Sequence, residues 1–151
     1  AGAEPLLTRL ETLARALGAR PLRLPEGGRA LYHAAANFSG AFVIALVQET
    51  AALWKKLGIS EADSLAALLP LLRGTADNVE RLGAAGGLGS AVARGDAGTL
   101  RRHLEVLARE APESLDLYRM LSLRTIPIAI AKGTLDPKTA DELTALLSPP
   151  R

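Results

Sequence analysis

The chain has 151 residues, 48% of them hydrophobic, which is enough for one substantial core plus a short appendage and too little for two independent domains. Its 18 Lys and Arg stand against 16 Asp and Glu, for a net charge of +2, and the basic residues are scattered among acidic ones. With aromatic residues at 3%, neither a basic stripe nor a base-stacking platform is built, so no nucleic-acid partner is expected. There is no Cys, which removes disulfide and thiolate chemistry.

Leu6, Leu7, Leu10, Leu13, Ala14 and Leu17 recur at helical spacing before Gly18, predicting a first helix of about four turns. Pro21 to Leu24 then reads as a short strand. A lone strand leaves its backbone donors and acceptors unpaired, so its partners are expected outside this sequence. From about Arg29 to Leu57 there is no Pro, and the segment is rich in Ala, Leu and Val, with Lys55 and Lys56 before Gly58. It predicts one helix of roughly 43 Å, central and buried, whose Ala34, Ala35, Ala36, Ser39, Gly40 and Ala41 admit close approach by another helix.

Ser60 with Asp63 resembles a capping box opening a helix that Pro70 interrupts or kinks, with helix resuming to about Leu82. The glycines at 83, 86, 87 and 89 then loosen the chain. Asp96 or Thr99 caps the next helix, through Leu100, Leu104 and Leu107 to about Ala111. A further helix to about Lys132 carries Pro127, and Asp136-Pro137 starts a last helix to Leu147, ahead of a frayed tail at 148–151. The fold class expected is therefore all-α.

His33 and Asn37 lie four apart, so that an imidazole and an amide share one helix face and can converge on a substrate group; a packed, hydrogen-bonded structural pair fits the same spacing. Arg73, Thr75, Asp77 and Asn78 gather beside Pro70, and Arg94 and Asp96 in a turn before a helix. Both sets can orient an anion or an amide, and both residue types are equally at home capping helix ends. The glycines at 83–89 follow a helix, with Val92 where a third fingerprint glycine would fall, so no dinucleotide cradle is read there. His33 and His103 fall at no metal-ligand spacing, and no metal is expected. No apolar run is read as approaching the roughly 20 residues that cross a bilayer, and no secretory signal is seen. A cytoplasmic protein without a membrane partner is expected.

The segments Ala30-Leu31-Tyr32-His33-Ala34-Ala35-Ala36, Leu68 to Asn78 and Ala93-Arg94-Gly95-Asp96, with Thr99, Arg101, Arg102, His103 and Leu104, resemble a bacterial family of Rossmann-like oxidoreductases that carry a C-terminal helical domain of unknown function. That family is similar to pyrroline-5-carboxylate reductase, ketopantoate reductase and the β-hydroxyacid dehydrogenases. The resemblance implies a multi-helix bundle around a long central helix, like the C-terminal domain of 6-phosphogluconate dehydrogenase. Residues 1–25 would be the terminal helix and strand of a missing Rossmann domain, and residues 26–151 a helical dimerisation and substrate domain. The lack of an initiator Met fits an excised fragment or a processed protein equally.

The order Gly28, His33, Asn37 is similar to the Gly-rich segment and helix of the β-hydroxyacid dehydrogenases, with His in place of their Lys; Gly89-Ser90 stands where relatives often keep Gly-Pro. The resemblance implies His33 as the proton-transfer group, Asn37 as its substrate-orienting neighbour, and Thr75, Asn78 and Arg94 as substrate-binding residues. NAD or NADP would bind in the full-length protein and not to this chain alone. The partners implied are a second copy, the missing Rossmann domain and a small-molecule substrate. The other class in view is a helical interaction or scaffold module without catalytic activity.

Overall fold

The computed structural model describes residues 4–149, which hold seven helices and no strand. The all-α class holds. Ala1 to Ala3 and the last two residues of the expected tail, Pro150 and Arg151, lie outside the described residues. The chain divides into two compact units, one up to Leu46 and one from Val47, so the expected boundary at 25/26 falls inside the first.

In the first unit, α1 (Glu4–Ala16) stops where Gly18 takes φ +76 and the Ala19 amide donates back to Ala14 O at 2.9 Å. Residues 19–25 pair with nothing as a strand. Arg23 instead ties this segment to α1, donating to Glu4 Oε1 at 2.6 Å and to Glu11. The Arg23 hydrogen bond holds the Glu11 carboxyl below its ordinary range, and the two glutamates push the guanidinium up.

The single helix expected over 29–57 is two, α2 (Arg29–Ser39) and α3 (Ala41–Lys55), broken at Gly40. Nor is it buried: α2 has no buried residue and α3 only Ala51. The sequence lets this happen because Gly is the weakest helix former after Pro, and helical pattern does not by itself say what covers a face. Arg29 to Lys55 also corrects the reading that no apolar run approaches the membrane-spanning length: its 27 residues include an 18-residue window of mean hydropathy 1.5, which by length and composition is enough to cross a bilayer. Between Arg29 and Glu49 no Asp, Glu, Lys or Arg occurs.

In the second unit, α4 (Glu61–Gly87) is capped by Ser60, whose hydroxyl accepts from the Asp63 amide at 3.1 Å. Pro70 does not end it. Pro70 and Ala66 are both exposed, where water satisfies the carbonyl that Pro frees. The break comes at Gly83, with φ +69. Past it, Gly87 lies so close to the backbone of Asn78 and Val79 that a Cβ would meet it at 3.3 Å, so a side chain there would force the backbone apart.

The core lies under α5 (Ala97–Glu110), α6 (Pro112–Lys132) and α7 (Pro137–Leu147). Leu100, Leu104 and Leu107 line one face of α5, and Leu143 and Leu147 of α7 are fully buried. α6 packs against α4, α5 and α7, placing Ile126 and Ala129 in that core. Gly133 closes α6 at φ +78, and Lys132 Nζ donates to Leu88 O at 2.7 Å and Gly86 O at 3.2 Å. Pro127 lies within α6 without ending it. Asp136 caps α7 through the Thr139 amide at 3.0 Å, with Pro137 in its first turn.

Candidate functional site

Of the five predicted site residues, His33 and Asn37 stand on α2 in the first unit, and Thr75, Asn78 and Arg94 belong to the second. His33 and Asn37 do share a face, and both are exposed. Their link is local: Asn37 Nδ2 donates to the His33 carbonyl at 3.2 Å, leaving the imidazole to lie 6.0 Å from the Tyr32 ring.

Thr75 and Asn78 lie one turn apart on α4. The Thr75 hydroxyl donates to Leu71 O at 2.9 Å, and Asn78 Oδ1 accepts from Arg81 Nη2 at 2.9 Å. Such bonds within one helix satisfy these groups without a ligand. Arg94 is exposed in the turn at 91–95, where Gly95 takes φ +65. The neighbouring Asp96 carboxylate caps α5, accepting from the Thr99 amide at 2.9 Å and from its hydroxyl at 2.7 Å. Those Thr99 bonds, first the hydroxyl and then the amide, hold Asp96 below its ordinary carboxylate range, with smaller help from Arg102 and Arg94.

Two polar pairs were not legible in the sequence. The Ser114 hydroxyl donates to Glu49 Oε1, joining α6 to α3, and His103 Nδ1 is hydrogen-bonded to Tyr118 Oη at 2.7 Å across α5 and α6. Burial pushes the Tyr118 phenol up, and a bond with Ser122 acts in the opposite direction. The one available signal for Glu49 was its isolation, a lone carboxylate in an apolar stretch. His103 and Tyr118 are fifteen residues apart, a separation that no helical periodicity connects.

A groove of about 850 Å³ lies within the first unit, lined by α1 residues such as Leu7 and Leu10 and by residues 21–27 and Arg29; none of the five predicted residues lines it. Among the described residues no three His, Asp or Glu gather where they could hold a metal ion. Gly83, Gly86 and Gly87 lie inside α4, and no strand leads into them.

Residues 1–125 match the family described as Domain of unknown function (DUF2520), and the chain belongs to that family. No curated protein and no solved structure matches it.

Proposed function

We propose that this chain is the helical dimerisation and substrate-cleft domain of an NAD(P)-dependent oxidoreductase, inactive alone, with its bundle related to the C-terminal domain of 6-phosphogluconate dehydrogenase. The observation that carries the reading is the uncovered apolar length of α2 and α3, where Leu31 is 76% exposed, Phe38 70% and Phe42 47%. A small soluble domain seldom leaves so continuous an apolar surface in water, and a second copy covers it at least cost. Residues 1–25 would complete a Rossmann domain that binds the cofactor outside the residues described here. His33 would exchange the proton, and Asn37 would orient the substrate once its amide turns from the His33 carbonyl. Thr75, Asn78 and Arg94 would line the cleft.

In the full-length protein, His33→Ala should abolish nicotinamide-coupled turnover while leaving the dimer intact, and Phe38→Glu should split the dimer. Unchanged turnover in His33→Ala removes that residue from the mechanism. The second reading, a scaffold module without catalysis, draws on Asn37, Thr75 and Asn78 all bonding within their own helices. An intact strand-Gly-x-Gly-x-x-Gly-helix encoded ahead of Ala1 favours the reductase, and a degraded one the scaffold.

A further inference from the structure

We propose that Gly40 is a hinge by which residues 29–55 pass between the broken form, α2 and α3, and one continuous helix. The break is confined to a single residue. Gly40 takes φ −121 and ψ −95, and its amide donates to Asn37 O at 3.3 Å, three residues back, where a continuous helix would bond four back. On either side the helix is regular, and no Pro lies between Pro25 and Pro70 to fix the break in place.

The continuous form has a purpose that the broken one lacks. Leu31, Ala35, Phe38, Phe42 and Ala45 are spaced alternately by four and three residues, the spacing of a helix seam that receives a second helix. Gly40 cuts this series in two. The seam's next position is Glu49, where Ser114 already ties α3 to α6. Phe38 and Phe42 face each other across the break, centroids 5.0 Å apart and edge to face, and their spacing of four residues lets them stay in contact when the helix closes. Gly40 itself falls on the side of the helix opposite the seam, so closing it does not alter the contact surface. A methyl group at residue 40 would meet nothing nearer than Ala36 O at 3.5 Å, so no neighbouring element crowds an Ala there in the broken form. The inference rests on the dimer reading for the seam's occupant, and the hinge itself is read independently of it.

The absence of Cys permits clean spin labelling of the whole chain through Ala30→Cys and Ile44→Cys, two exposed positions off the seam. Double electron–electron resonance then measures their separation, with a Cα spacing of about 21 Å expected for the continuous helix. Gly40→Ala should raise the ratio of long to short separations roughly fivefold, the Ala-over-Gly helix preference. A distribution unchanged between wild type and Gly40→Ala overturns the hinge. A clear shift at dilutions where the chain's mass stays that of one copy upholds the hinge even if the dimer reading fails.

Discussion

The Ser114 hydroxyl donates to the Glu49 carboxylate across 65 residues of sequence, fastening the start of α6 to α3. Ser114 is buried and Glu49 half-buried, so removal of the hydroxyl leaves a carboxylate oxygen short of a donor in a place water reaches poorly. Ser114→Ala should cost about 1 kcal/mol in urea unfolding, with Glu49→Gln costing less because the amide still accepts.

Ser64 should behave in the opposite way. It is fully buried in α4, and its hydroxyl has no hydrogen-bond partner among the described residues. The fold already bears the cost of desolvating that oxygen. Ser64→Ala should therefore be neutral or stabilising by up to about 1 kcal/mol in the same measurement, and a loss as large as that of Ser114→Ala would show that the oxygen is satisfied in solution.

Acid should loosen the caps of α5 and α7. Asp96 and Asp136 are both held below the ordinary carboxylate range, chiefly by the hydroxyls of Thr99 and Thr139 and then by the amides of the same residues. A carboxyl whose folded pKa is depressed adds stability above its unfolded value, about 3.9, and that stability is lost as pH falls through the lower folded value. The thermal midpoint should drop below about pH 4, and the double variant Asp96→Asn, Asp136→Asn should show a shallower fall than wild type.

Leucines separate the core from the uncovered face. Leu143→Ala opens a cavity at a fully buried position and should cost about 3 kcal/mol. Leu31 is 76% exposed, and Leu31→Ala should change the unfolding free energy of the single chain by no more than about 0.5 kcal/mol while weakening self-association.

Much of the second unit was legible because its signals are local. Ser60, Asp96 and Asp136 cap the helices their sequence positions announce, and Leu100, Leu104 and Leu107 bury the face their spacing defines. What periodicity could not reveal was the partner of each face. The Ala-rich run from Arg29 to Lys55 carries the pattern of a buried helix and stands exposed, because pattern records that a face is apolar and not whether this chain supplies its cover. Pro70 did not interrupt α4, because an exposed Pro can be carried within a helix, whereas the loosening expected after Leu82 falls at Gly83, whose positive φ breaks the helix. At the candidate site, His33 and Asn37 stand four apart on α2 and so share one face. Spacing could not foresee that the amide would turn to the His33 carbonyl, because a backbone acceptor is available to any Asn in a helix.

The central claim is that a second copy covers the apolar length of α2 and α3. Light scattering at tens of micromolar tests it directly, comparing wild type with Phe38→Glu, a substitution at a 70% exposed ring that leaves the α5 to α7 core untouched. Wild type should have twice the mass of one chain and the variant the mass of one. A wild-type mass equal to a single chain, unchanged by the substitution, would contradict the account.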